Sequence, residues 1–206
     1  MDNLKGIWTE LASRYSNDEN LISDLWSEIE SHYNKKDRFY HNTEHIKSMI
    51  QLAFEYQVKI EDFDTLLFSV FYHDIVYNSS RSDNEKKSAL VASQNLERLG
   101  VNAEKTSKCY NQIIDTKKHE NDTENDIKYL LDFDLAILGS SWSDYSIYMK
   151  NIRKEYTLYP DFIYNKGRKQ VLKSFLELPQ IYKTTEFQNK HEEQAIQNIT
   201  KEIELL

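Results

Sequence analysis

The stretch from Leu66 to Tyr77 reads Leu-Leu-Phe-Ser-Val-Phe-Tyr-His-Asp-Ile-Val-Tyr, an apolar and aromatic run interrupted by His73 and Asp74. A run of this length favours a buried helix over a strand, because strands are usually shorter. A buried charge is costly unless it is paired or bound to a metal. His73 and Asp74 therefore need a partner, and a hydrogen-bonded pair in the core would satisfy them as well as a metal would.

The composition around this run favours an all-helical protein. Of the 206 residues, 39% are hydrophobic and 29% are charged, which suits a globular chain with a real core. Gly occurs 4 times and Pro 2 times, far below average usage, so the chain has little material for hairpin turns. No repeat or linker divides the chain. We predict an all-α fold of about eight to ten helices, forming a single domain over residues 1–206.

The charge and the cysteine content argue against several classes of partner and site. The net charge is -8 and no long block of Lys and Arg occurs, so we expect no nucleic-acid polymer as a partner. The single Cys109 excludes an internal disulfide and a multi-cysteine zinc site. Residues 1–5 lack an apolar signal-peptide core, and no segment approaches the ~20 apolar residues that span a bilayer. We expect a cytoplasmic protein without a membrane partner, and the oligomeric state stays open.

Helical periodicity and capping residues predict where the helices lie. The predicted segments are 4–15, 20–34, 43–57, a central helix opened by residues 61–64, a helix from about 83 to 99 that ends at Gly100, and then 103–118, 122–138, 142–156, 160–178 and 191–206.

Two of these helices carry polar residues on apolar faces. His45 lies in the first turn of the helix capped by Asn42 or Thr43 and points toward the core side. Asp134 falls near the middle of an apolar arc, whereas Asp132 falls on the opposite, polar side. A carboxylate at the centre of a buried face needs a cation or a hydrogen-bond donor. We therefore predict a functional role for Asp134 and none for Asp132.

The order His45, His73-Asp74, Asp134 resembles the H…HD…D signature of the HD superfamily of metal-dependent phosphohydrolases. Longer blocks carry a closer resemblance to predicted phosphohydrolases of that superfamily. They resemble RxYHNxxHI, FHDxVY, DNExxSA, TKxH and DxDLAILG, and they lie at 38–46, 71–77, 83–89, 115–119 and 132–139. Further matches lie at 152–156 and 167–168, so the resemblance runs from about Arg38 to the C-terminal region.

The resemblance implies a metal site. His45, His73, Asp74 and Asp134 would ligate one divalent ion, and two imidazoles with two carboxylates suit Mn²⁺, Fe²⁺, Co²⁺, Ni²⁺ or Zn²⁺ better than Mg²⁺. Such an ion would lower the pKa of a bound water and polarise a phosphoryl group. Many HD proteins carry a His near the position of Asn84, so this chain departs from the usual second metal site, and we expect one ion.

The function implied is hydrolysis of a small phosphate ester, a nucleotide being one candidate. Asp74 would hold the metal and help to orient the attacking water, and Glu85 is the candidate general base. The resemblance also suggests four contacts to the phosphate, from Arg38, His41, Lys117 and His119. His41 precedes its helix in a loop, where an ordinary exposed histidine would fit equally well.

Two other functions stay open at the level of sequence. A di-iron oxygenase on the same fold would need a second iron held by His119 and Glu85. A binding module would keep the metal for structure, or would sense a nucleotide without turning it over.

Overall fold

The structure is a computed structural model, which describes residues 4–117 and 124–206. Within these ranges ten α-helices follow one another. They are α1 (Leu4–Ala12), α2 (Glu19–Tyr33), α3 (Thr43–Glu55), α4 (Phe63–Tyr72), α5 (Asn84–Leu99), α6 (Ala103–Asp115), α7 (Asn125–Leu135), α8 (Trp142–Glu155), α9 (Asp161–Glu177) and α10 (Thr185–Leu205). Short 3-10 turns lie at Gln57–Lys59 and Ala136–Gly139.

The prediction of an all-α fold with eight to ten helices is confirmed for the part of the chain that the structure describes, which contains no strand. The chain forms two compact units, Met1–Leu130 and Leu131–Leu206, and the boundary falls inside α7. The HD topology and the single domain over residues 1–206 stay predictions. Nowhere in the described ranges does a helix combine the length and apolarity needed to cross a bilayer.

The first unit is built around α4, whose residues from Thr65 to Tyr72 are all buried. This helix packs against α3, α5 and α6. From α1, the Trp8 ring lies edge-on against Phe71 and Tyr72, with ring centroids 5.4 and 5.8 Å apart. Such aromatic pairs add to the area they bury. The apolar run therefore forms the central helix of the unit, as its composition predicts.

The central helix is shorter than the apolar run. It ends at Tyr72, His73 is its C-cap, and Asp74 follows in a turn. The main chain leaves the helix here because side chains replace the helical hydrogen bonds. The Asp74 N–H donates to the Tyr33 hydroxyl, and the Asp74 carbonyl accepts from Arg38. His73 and Asp74 thus lie at a helix end, where polar side chains can converge.

The second unit joins the end of α7 and the following 3-10 turn to α10. Gly139 lies so close to α10 that a Cβ there would meet the His191 Cβ at 2.6 Å. The Asn198 side chain donates to the carbonyls of Leu138 and Ser140 across the same contact. α10 begins at Thr185, earlier than the predicted 191, because the Thr184 hydroxyl caps it by accepting from the Phe187 N–H.

Candidate metal centre

Three of the four predicted ligands lie together in the first unit. One ligand atom from each of His45, His73 and Asp74 lies within 4.8 Å of the other two. The Nε2 atoms of His45 and His73 are 3.3 Å apart, and His73 Nε2 lies 3.4 Å from Asp74 Oδ2. Both histidines are buried and Asp74 is half-buried. The α3 start and the α4 end therefore deliver two imidazoles and one carboxylate to one point.

His45 reaches this point because of how α3 begins. The Asn42 side chain accepts from the Glu44 N–H and caps the helix, which makes His45 its third residue. A side chain in the first turn of a helix is tilted toward the N-terminal end. The His45 ring packs against the Tyr40 ring, with centroids 4.9 Å apart, and is 6% exposed. The predicted orientation toward the core is confirmed.

The His73 ring is held in one tautomer. Its Nδ1 lies 2.9 Å from the Val70 carbonyl oxygen, which can only accept a hydrogen bond. Nδ1 therefore carries the proton, and Nε2 of the neutral ring keeps its lone pair. That lone pair faces His45 and Asp74. A backbone carbonyl that fixes the tautomer in this way is common behind histidine ligands of metals.

The spacing of the donors fits a first-row transition metal. Two atoms that each lie about 2.1 Å from one ion at a tetrahedral angle are about 3.4 Å apart. The 3.3 and 3.4 Å separations at His73 Nε2 match that edge length. Nitrogen-rich donor sets suit Zn²⁺ and the other first-row ions better than Mg²⁺. Two of the three donor separations thus fit an ion of the predicted class.

Asp134 belongs to the second unit, where it lies half-buried in the last turn of α7. Its role as the fourth ligand stays a prediction. In the same unit, its negative charge contributes to a raised pKa of Tyr148, after the larger effect of burial.

Asp132 does not lie on a polar face, so that prediction is wrong. The residue is 0% exposed, and its carboxylate accepts hydrogen bonds from the Lys183 N–H, the Thr184 N–H and the Thr184 hydroxyl. Burial raises its pKa to about 6, although these three donors oppose the rise. The prediction failed because it allowed the helix one buried face, whereas the segment before α10 covers a second one.

The predicted phosphate contacts take different positions. His41 stacks on Tyr77 with centroids 4.2 Å apart, and its Nε2 lies 3.9 Å from Asp74 Oδ2. Arg38 is buried, and its two terminal nitrogens donate to main-chain carbonyls. His119 lies outside the described residues. The phosphate-binding roles of all these residues stay predictions.

Glu85 and Lys117, the predicted base and a predicted phosphate contact, form a pair. Lys117 Nζ lies 3.4 Å from Glu85 Oε2 and also donates to the Ser82 carbonyl. Glu85 lies in the first turn of α5, where a carboxylate is favourable for the helix dipole. The two side chains therefore form an ion pair. The general-base role of Glu85 stays a prediction.

Asn84 closes the loop that follows the His-Asp turn. Its side-chain oxygen accepts from the Asn78 N–H at 3.2 Å, and its amide donates to the Asn78 carbonyl at 2.9 Å. One turn further along α5, the Ser88 hydroxyl contacts both the N–H and the carbonyl of Val76. The Asn84 side chain thus holds the Asn78 main chain, and the expectation of a single metal ion stays a prediction.

Two residues that contact the main chain of the site were not singled out from the sequence. His32 is half-buried and places Nδ1 2.7 Å from the Ile75 carbonyl oxygen. The Tyr33 hydroxyl accepts from the Asp74 N–H at 3.1 Å. The available signal was polar atoms on an apolar stripe, since a buried tyrosine hydroxyl usually has a partner.

Comparisons with known proteins yield no relative: no protein-family model matches the chain, and neither the curated proteins nor the solved structures searched contain a match.

Proposed function

We propose that this chain is a metal-dependent phosphohydrolase that acts on a small phosphate ester, with nucleotides among the candidate substrates. The observation that carries the proposal is the convergence of His45, His73 and Asp74, with donor atoms 3.3 and 3.4 Å apart around His73 Nε2. The resemblance of the surrounding sequence blocks to HD phosphohydrolases supports the choice of reaction.

The three side chains would hold the ion, and the role of Asp134 as a fourth ligand stays what the sequence resemblance implies. When bound, a divalent ion would supply Lewis-acid chemistry, activating a water and polarising a phosphoryl oxygen. Asp74 offers two carboxylate oxygens, so one can face the ion while the other orients the nucleophile. His73 needs no proton transfer to serve as a ligand, because Nδ1 carries the ring proton and donates a hydrogen bond to the Val70 carbonyl, which leaves Nε2 for the ion.

The remaining residues would act on the substrate. The His41 side chain lies beside Asp74 and is 20% exposed, so its ring could contact a phosphate oxygen. Glu85 is the proposed base, and its carboxylate lies beside the Lys117 ammonium group. The Lys117 side chain is exposed and could move from Glu85 to a bound phosphate.

Purified protein assayed against a panel of nucleotides and phosphate monoesters, with Mn²⁺, Co²⁺ or Zn²⁺ added, tests the proposal. We expect turnover that chelator abolishes, and loss of turnover in Asp74→Asn. Asp64→Asn is the matched control, because Asp64 is a partly buried carboxylate that contacts Arg14 and Tyr15 and lies outside the cluster. Metal binding without turnover of any ester would refute the hydrolase and favour the binding module.

A further inference from the structure

One buried arginine joins the two segments that carry the metal ligands. Arg38 lies in the loop between α2 and α3 and is 5% exposed. Its NH1 donates to the His41 carbonyl at 3.1 Å and to the Asp74 carbonyl at 2.7 Å, and NH2 donates to the Ile75 carbonyl at 2.9 Å. The same guanidinium therefore holds the main chain just before α3 and the main chain of the His-Asp turn.

Two aromatic rings lie close to this guanidinium. Its central carbon lies 4.8 Å from the Tyr33 ring centroid and 5.6 Å from that of Tyr77. Cation–π contacts of this kind are stronger where water is excluded. A lysine has no planar fork of two terminal nitrogens, so it could not reproduce these three hydrogen bonds together with the ring contacts.

Two residues at the end of α2 complete the arrangement. The Tyr33 hydroxyl accepts from the Asp74 N–H at 3.1 Å, and His32 Nδ1 lies 2.7 Å from the Ile75 carbonyl. We call Arg38, Tyr33 and His32 the main-chain clamp. It supplies partners for both main-chain groups of Asp74 and for the Ile75 carbonyl, at the point where α4 has ended and helical partners are missing.

We propose that Arg38 is a positioning residue of the metal centre, which sets the Asp74 carboxylate against His45 and His73 through the main chain and does not contact the phosphate. The inference rests on the proposed function only for the presence of a metal. With the clamp in place the turn is already in its binding conformation. Without it the ion must select that conformation from several, which weakens the apparent affinity.

The test is the dissociation constant for Zn²⁺ or Mn²⁺, measured without substrate by competition with a chelating dye. We expect Arg38→Lys to weaken metal binding by roughly 10–100-fold, as loss of a group behind the ligands does. Tyr33→Phe removes one hydrogen bond to the turn and should weaken binding by roughly 3–10-fold. Tyr72→Phe is the matched control, because within the described residues its buried hydroxyl makes no hydrogen bond to the clamp or to a metal ligand, and the metal affinity of this variant should equal that of the wild type.

The possible results distinguish three roles of Arg38, namely positioning of the metal centre, contact with the phosphate and a purely structural role. A phosphate contact by Arg38 predicts a raised KM with an unchanged metal dissociation constant, and that result would overturn the inference. A purely structural role predicts a lower melting temperature of the metal-free protein with unchanged affinity, which would overturn it as well. If Arg38→Lys does not fold, the metal affinity of Tyr33→Phe, compared with that of Tyr72→Phe, decides the question. Wild-type protein that binds metal but hydrolyses nothing would refute the hydrolase and leave this inference standing, whereas wild-type protein that binds no metal would refute both.

Discussion

Replacing Asp132 by alanine removes the acceptor of three hydrogen bonds inside the second unit. The Lys183 N–H donates at 2.6 Å, the Thr184 N–H at 2.8 Å and the Thr184 hydroxyl at 2.6 Å. The carboxylate thereby holds the segment just before α10 against α7. The sequence had placed Asp132 on a solvated face, which predicts a negligible effect, so the two expectations differ clearly.

The expected loss in the free energy of unfolding follows from the number of buried hydrogen-bond donors left without an acceptor. The Thr184 N–H is buried and the Lys183 N–H is partly buried, and the Thr184 hydroxyl, which can rotate, is left out of the count. Each buried donor left without a partner costs about 1–3 kcal/mol, so we expect the free energy of unfolding to fall by ~2–5 kcal/mol. For a chain of this length each kcal/mol corresponds to about 2–4 °C in Tm, so a loss of ~3 kcal/mol shifts Tm by roughly 6–12 °C.

Urea and thermal melts of Asp132→Ala measure this loss. Asp24→Ala is the matched control, because Asp24 is an exposed residue of α2 and surface changes usually stay within about 0.5 kcal/mol. Asp132→Asn keeps one acceptor oxygen and should fall between the two. An Asp132→Ala protein as stable as Asp24→Ala would refute the burial and the hydrogen bonds on which the reasoning depends.

Two further changes test other contacts of the fold. Burial alone raises the pKa of Asp62, but hydrogen bonds from Lys105 and Thr65 outweigh it and hold that pKa below its ordinary value. Asp62→Asn keeps the cap of α4 but loses the charge, so urea melts should show a loss of about 0.5–1 kcal/mol in the free energy of unfolding near pH 7. This loss should shrink as pH falls below ~4, where the wild-type carboxylate also becomes protonated. A loss equally large at pH 3 would contradict this. Gly139→Ala should cost ~1–3 kcal/mol, because the new Cβ would meet His191. Gly167→Ala in α9 meets no atom of residues 4–117 and 124–206 within 4 Å and should be neutral or slightly stabilising. Equal melting temperatures for both variants would refute the close approach at Gly139.

The apolar run and its flanks were enough to predict the helical class and most helix positions. α5 ends at Gly100 with a φ of 82°, as a glycine after the last apolar position predicts. His45 and His73-Asp74 were found because polar residues on apolar faces are unusual. Local pattern is informative for these features, since each depends on residues within one or two turns.

Features that depend on distant partners were not predictable. The end of α4 at Tyr72 is set by Arg38 and Tyr33, which lie more than thirty residues away in sequence. The burial of Asp132 is set by a segment about fifty residues further on. A helical wheel records the faces of one helix but not which faces other segments cover, and tertiary contacts decide that.

The most direct test of the metal centre is the number of divalent ions retained per chain after incubation with metal and desalting, determined by elemental analysis. We expect about one ion per wild-type chain and His191→Ala chain, and close to none in His73→Ala, whose ring provides the central donor of the cluster. The His191 ring lies against Gly139 and serves as the histidine control. Equal metal content in His73→Ala and wild-type protein would contradict the account, and two ions per wild-type chain, reduced to one by His119→Ala, would favour the oxygenase.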